Sequence, residues 1–451
     1  MRRNRGGKTL KALGNSNPAP GGGAGVPAAF VAIYAFAYAS LWLALLTPAT
    51  ITLALRVSQI VPGDAAHPVS RVLFAGAVIA LVSNPIFGAL SDRTRSRFGR
   101  RKPYLVVGAV GGFAALALIS VADSVRTIML GWCLAQLAYN AVLAALVAIV
   151  ADRIPASRRG TVVGILGMCM PVGQISGTFL VQFFAPDLYL ALLVPGGVGL
   201  VGVLALALTL SGAPPVGAAQ ETAVAGSHPT GGPEPASAVG INAPPGSGRP
   251  ASADTSPQPE RNHDFAWAWS SRMHFVVGSV FLQAYQPLLL LNMLKFNAAE
   301  VPRLIFRATL VQAAMSVLWS VAAGRLSDRM GRRKPVAMVG STLQGVGLWL
   351  VAIAPSYTVL LFGVAVAGIG HGVYEGVNLA LVTEVLPDRG SHAAKDLGLL
   401  NIANALPQVV APLAAPVILD ASHGNYTLLF LIAGSLPLIG AALLVPLKRA
   451  R

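Results

Sequence analysis

Charge is what this chain has least of. Only 17 of its 451 residues are acidic, and Asp, Glu, Lys and Arg together make up 11%, against about 25% in soluble domains. A water-facing surface cannot be covered by so few charges, so a soluble globular protein is excluded. Cysteine is nearly missing too. Cys133 and Cys169 both fall inside apolar runs, which reads as packing and implies no disulfide framework. The chain has no Walker loop, no nucleophile elbow and no Cys/His cluster with metal-ligand spacing. ATP hydrolysis is therefore not expected to drive its work, no metal or other cofactor is implied, and the chain does not read as an enzyme. Residues 1–26 are basic and then rich in Gly, Pro and Ala, which suggests a disordered tail and not a cleavable signal.

What the chain has instead is apolar length. Hydrophobic residues make up 54% of it, gathered into runs of roughly 20, the length that crosses a bilayer. Twelve spans are expected, at 28–58, 67–91, 103–122, 126–151, 159–184, 188–211, 265–293, 301–325, 335–353, 356–384, 394–419 and 426–447. The net charge of +16 would suit nucleic acid, but the basic residues sit in short loops between spans. That is the positive-inside pattern of cytoplasmic loops, so no nucleic-acid partner is expected. Arg93 to Lys102, Arg153 to Arg159, Arg325 to Lys334 and Arg389 to Lys395 occupy alternate loops. Both termini are then expected on the cytoplasmic side of a cell membrane, with the lipid bilayer as the chain's medium.

The sequence also repeats itself. Ser91-Asp92-Arg93 returns as Ser327-Asp328-Arg329, 236 residues on, and Asp152 answers Glu384 at a spacing of 232. Pro171 and Pro407 are again 236 apart. Landmarks in one order imply a duplicated unit. The expected fold is all-α: twelve transmembrane helices in two pseudo-symmetric six-helix bundles, 27–211 and 264–447, flanked by tails at 1–26 and 448–451. Between the bundles, 212–263 is rich in Pro, Gly and Ser and reads as a disordered cytoplasmic linker.

Two loops carry the clearest motif. Gly88 opens the stretch Ser91-Asp92-Arg93 and, beyond it, Phe98-Gly99-Arg100-Arg101-Lys102-Pro103. Gly324 opens Ser327-Asp328-Arg329-Met330-Gly331-Arg332-Arg333-Lys334-Pro335. Both are close to Gly-x-x-x-Asp-Arg-x-Gly-Arg-Arg-Lys, and the chain resembles the major facilitator superfamily. Asn84-Pro85, the run Thr94 to Tyr104, Glu384 to Asp388 and Lys395 to Pro407 are similar to a narrower group, the glycoside–pentoside–hexuronide cation symporters and the sucrose/proton symporters. Ala80 and Asn84 stand where sodium-coupled members of that group carry acids, so that sodium site does not carry over. The resemblance implies proton-coupled uptake of a sugar or glycoside by alternating access. The runner-up is a proton-driven exporter of small organic compounds, and a third possibility is a non-transporting receptor or scaffold. A monomer is expected.

Candidate residues follow from chemistry and spacing. Arg101 and Arg333 stand where they could reach Asp152 and Glu384. With Gly88, Asp92, Arg93, Asp328 and Arg329 they make a candidate cytoplasmic gate, Gly88 permitting close helix approach. In the tenth span His371, Tyr374, Glu375 and Asn378 share one helical face. Glu375 lies nine residues before Glu384, about 13 Å along the axis. A mid-membrane acid suggests function, so Glu375 and His371 are the proton-coupling candidates. Gly368, Gly372 and Gly376 form an adjoining stripe suited to close packing. A shift of 232 sets Tyr139 opposite His371, with Asn140 and Gln136 beside it as candidate ligands for hydroxyls. Tyr34, Tyr38 and Trp42 offer an aromatic face, with Tyr38 the candidate contact. Gln283, Gln286, Asn401, Asn404 and Gln408 add amides. Arg272 and His274, near the start of the seventh span, are expected to snorkel to the interface.

Overall fold

The computed structural model describes residues 27–184, 187–210, 259–385 and 393–447. Twelve of its helices are long and apolar enough to cross a membrane, and the described residues hold no strand. Lipid offers no hydrogen bonds to a backbone, and helices satisfy their own. The first bundle contains α1 (Ala28–Ile60), α2 (Ala66–Arg93), α3 (Lys102–Ser120), α4 (Val125–Arg153), α5 (Ala156–Phe184) and α6 (Leu188–Thr209). The second contains α7 (Pro259–Asn292), α8 (Val301–Met330), α9 (Lys334–Ala352), α10 (Tyr357–Val385), α11 (Ala393–Ala421) and α12 (Tyr426–Leu443). The tail at 1–26, linker residues 211–258 and the end at 448–451 lie outside the described residues. α7 begins at Pro259, inside the segment expected to be linker, and α8 runs on to Met330, past its expected end at 325.

Packing repeats with the sequence. In the first bundle α3 lies on α4, α2 on α4, α1 on α5 and α6, and α3 on α6. In the second, α9 lies on α10, α8 on α10, α7 on α11 and α12, and α9 on α12. Adding six to each helix number turns one set into the other. The bundles meet through α2 with α11 and α5 with α8, a pair of contacts that the same operation exchanges. This is pseudo-twofold symmetry across one interface.

Small residues set the closest approaches. A methyl added at Gly368 would stand 2.8 Å from the Gln312 carbonyl of α8, and one at Gly376 would stand 2.5 Å from that of Ser320. Gly372 is as tightly placed against Ser316. The α10 stripe therefore lets α8 and α10 touch backbone to backbone. Gly88 does not act this way. Nothing lies within 4 Å of a methyl placed there, which corrects the close-approach expectation, because Gly88 lies on a face of α2 turned away from its neighbours.

One helix changes pitch. In α1, Pro48–Thr52 forms a π turn, and the Leu53 N–H reaches back five residues to the Pro48 carbonyl. Proline removes an N–H from the ladder. The Thr47 and Thr50 hydroxyls donate to the carbonyls of Leu43 and Leu46, at 2.6 and 2.8 Å.

Candidate functional site

The two motif loops share one backbone solution. Gly99 and Gly331 both adopt the left-handed region, at φ 90° and 59°. Each turns the chain so that a new helix starts three residues later, with Arg101 or Arg333 at the N-cap position and a proline in its first turn. A side chain at either glycine would strain that turn.

Their side chains differ. Arg101 bonds Asp152 through Nε at 2.8 Å and Asp92 through Nη2 at 2.7 Å, and it also donates to Ser91. Arg100 adds a 3.1 Å contact to Asp152. Burial works against the Arg101 charge, but its bonds to Asp152 and then Asp92 outweigh that and hold it charged more firmly than an ordinary arginine. All of these groups belong to α2, α3 and α4, so the network ties one bundle to itself. In the second bundle Arg333 donates to the Ala380 carbonyl of α10 at 3.0 Å. Lys334 donates to the Val445 and Leu447 carbonyls beyond α12. Asp328, Arg329 and, in the first bundle, Arg93 are exposed. The Glu384 side chain lies outside the described residues.

Deeper in the first bundle the polar side chains are neutral. Asn84 on α2 donates to Asn140 Oδ1 at 3.3 Å, and Asn140 donates to the Gln136 carbonyl at 2.8 Å and to Gln136 Oε1 at 3.2 Å. This amide chain joins α2 to α4. Tyr139 does not belong to it. It is 1% exposed and packed on Gly112 of α3, and its hydroxyl has no partner. Tyr34, Tyr38 and Trp42 form an edge-on ladder with 6.4 and 6.3 Å spacings. Tyr34 is consumed by the Leu146 carbonyl, which leaves Tyr38 and Trp42 half-buried.

In the second bundle the interior is charged. Arg272 does not snorkel to the interface as expected; it turns inward. Its Nη1 meets Glu375 Oε1 at 2.8 Å and its Nε meets Asn404 Oδ1 at 2.9 Å. Glu375 is thus no lone acid, and it keeps 35% exposure against 12% for Arg272. His371 makes no hydrogen bond to Glu375. Its ring stacks on Phe275 at 5.6 Å and its Nδ1 has no partner. Tyr374 is also stacked on Phe275, at 3.8 Å, and is 1% exposed. Asn378 and Gln286 are buried, each with an unpaired amide atom. Gln283 is half-buried and Gln408 exposed. His274 donates to the Ser270 carbonyl at 2.8 Å. The Asn401 side chain lies outside the described residues. No metal-ligating group of His, Cys, Asp and Glu occurs among the described residues.

Arg272 is the residue that sequence reasoning missed. With α7 starting at Pro259, it lies 13 residues in, about 20 Å along the axis. A start at 265 made it look peripheral.

The bundles are sealed together on the face opposite the basic loops. His67 Nε2 of α2 meets Asp420 of α11 at 2.6 Å, and its Nδ1 meets Asp64 at 2.8 Å. The Ser70 hydroxyl meets the Tyr285 hydroxyl at 2.6 Å, and Phe179 lies 5.2 Å from Phe306. Glu375 and Asn404 lie on the far side of this seal, toward the basic loops.

The sequence profile of the Major Facilitator Superfamily matches residues 28–322 and 304–451. A multidrug resistance protein MdtL of Shigella flexneri is 34% identical over 124 residues, 27% of this chain and 30% of that protein. Its counterpart in Klebsiella pneumoniae is 39% identical over 97 residues, 22% of this chain and 24% of that protein. The matches thus span under a third of those relatives. A bacterial homolog of the human lysosomal transporter Spinster, inward-facing and occupied, superposes with a TM-score of 0.68 over 94% of this chain and 97% of its own. A D-xylose-proton symporter superposes with 0.64 over 92% and 97%. Both are 14% identical and bear on the fold alone. With the family profile running almost the whole length of a twelve-helix, two-bundle fold, the chain belongs to the Major Facilitator Superfamily and is a membrane transporter, not an enzyme.

Proposed function

We propose that this transporter couples proton movement to the uptake of a hydroxyl-rich small molecule, a sugar or glycoside, by alternating access. The observation that carries the reading is the pairing of unlike walls. Asn84, Gln136 and Asn140 offer amide donors and acceptors from one bundle, and Arg272, Glu375 and Asn404 offer charge from the other. Ionisable groups inside a membrane are costly and are kept for function. A proton arriving on Glu375 removes the charge that holds Arg272 Nη1, and that donor then turns to a substrate oxygen. The Arg101 network acts at the basic face, which the positive-inside rule makes cytoplasmic. There it braces α2, α3 and α4 as one body while the bundles rock. The working unit is a monomer in the cell membrane.

A second reading has its own support. The similarity to multidrug resistance proteins and the many aliphatic residues favour a proton-driven exporter of small organic compounds. Proteoliposomes decide between them. Uptake of radiolabelled sucrose, xylose or methyl glucoside that collapses with a protonophore, and falls at least tenfold in Glu375→Gln, supports the symporter. Uptake indifferent to both treatments overturns it. Resistance of expressing cells to toxic cations, without sugar uptake, supports the exporter.

A further inference from the structure

His67 stands in the first turn of α2. That helix has 28 residues, about 42 Å long against a hydrocarbon slab of about 30 Å, so its first turn projects beyond the apolar layer. Both ring nitrogens of His67 touch carboxylate oxygens, Nδ1 that of Asp64 and Nε2 that of Asp420. A neutral imidazole has one N–H and would set a lone pair against one of the two carboxylates. Only the doubly protonated ring donates to both. The two acids differ in kind. Asp64 lies just ahead of α2 and moves with His67. Asp420 closes α11, in the opposite bundle.

We propose that His67 and Asp420 form a proton-dependent latch across the bundles, one that closes this face of the transporter when His67 is protonated and releases it when the proton leaves. The inference rests on the alternating-access reading above. Opening this face carries Asp420 away and leaves His67 with Asp64 alone. The closed state therefore holds the proton more tightly, and acid at this face favours closure. One proton linked in this way changes the closed-to-open ratio by at most about tenfold per pH unit.

The other ionisable groups around the cluster do not substitute for it. Arg71, one turn further along α2, is exposed and forms no ion pair with either acid. Arg56 at the end of α1 is committed to Gln59 and the Ala122 carbonyl. Tyr285 of α7 is bonded to Ser70, and Tyr426 of α12 to Asn292. His423, in the turn after Asp420, is exposed. The Ser70–Tyr285 and Phe179–Phe306 contacts carry no titratable charge at neutral pH, so they supply a pH-independent part of the seal.

The test measures distance across this face in the whole protein. Spin labels are placed through Val121→Cys in the first bundle and Ala298→Cys in the second, both exposed, with Cys133→Ala and Cys169→Ala removing the native thiols. Distance distributions are recorded from pH 5 to pH 8 in lipid nanodiscs. The expected result is a short-distance population that falls as pH rises. Asp420→Asn flattens that dependence, Asp64→Asn keeps most of it, and His67→Gln abolishes it. A pH response that survives in monodisperse His67→Gln or Asp420→Asn overturns the latch, as does a two-population distribution indifferent to pH. One unchanging distance in every variant and at every pH would instead bring down alternating access itself.

Discussion

The first bundle keeps its charges at the basic face and fills its interior with amides. Arg101, Asp92 and Asp152 bind one another near water, while Asn84, Gln136 and Asn140 hydrogen-bond in the middle of the membrane. The second bundle keeps basic residues at that face too, where Arg333 donates to the Ala380 carbonyl among its contacts, and it adds an ion pair, Arg272 with Glu375, between its helices. Duplication fixed the helix packing of both halves but not the position of charge. Between their helices the first bundle carries hydrogen-bonded amides and the second an ion pair.

That contrast breaks most sharply at Arg272. Glu375 keeps 35% exposure, so losing its partner costs about what a charged hydrogen bond is worth, about 1.5–3 kcal/mol. Arg272→Leu is expected to lower uptake by up to about a hundredfold and to lower the melting temperature of the purified protein. Adding Glu375→Leu makes the second bundle neutral like the first; melting temperature should recover while uptake stays lost. Normal uptake in the single variant would remove the charged wall from the site.

The next effect falls on the other bundle. Asp152→Asn weakens the contacts of Arg100 and Arg101, charged hydrogen bonds worth about 1.5–3 kcal/mol. Turnover should fall about tenfold at unchanged surface level, while Asp328→Asn, at the exposed counterpart of Asp92, should change little. Equal losses from both would mean that the two loops work alike despite their different partners.

Packing gives a smaller test. Gly372→Ala forces a methyl onto the α8 backbone and should destabilise by about 1–3 kcal/mol. Gly88→Ala, in open space, should stay within about 0.5 kcal/mol. Thermal unfolding of the two variants compares them directly. The least effect is expected from Asn84→Ala. Membrane interhelical hydrogen bonds average about 0.6 kcal/mol, so substrate KM should rise two- to threefold with melting temperature nearly unchanged.

The fold was legible because its signals are local: an apolar run is as long as the slab it crosses, and basic loops alternate. The motif glycines could be read the same way, since Gly99 and Gly331 precede matching Arg-Arg-Lys-Pro runs and take the same left-handed turn. The site was less legible because it depends on partners far apart in the chain. Glu375 looked unpaired when read on α10 alone, and the helix carrying its partner starts earlier than composition suggested. Tyr139 and Tyr374 looked like cavity residues because their faces were right, but Gly112 on the neighbouring helix opens a slot for the Tyr139 ring, and Phe275 stacks on that of Tyr374. Sequence periodicity gives a residue's face and not what the opposite helix leaves open. The narrower likeness to sugar symporters rested on loop and helix-end residues, and these do not fix which solute the interior accepts.

The π turn at Pro48–Thr52 divides the longest helix of the first bundle where it touches α7 of the second. Pro48 brings no N–H to the ladder, and the Thr47 and Thr50 hydroxyls add bonds to the Leu43 and Leu46 carbonyls beside it. The outer segment Leu53–Ile60 can thus tilt with the opposing bundle while Ala28–Thr47 stays seated in its own. The first helix is two levers joined by a hinge, and a leucine or valine at Thr47 or Thr50 would stiffen that hinge while leaving the membrane span itself as apolar as before.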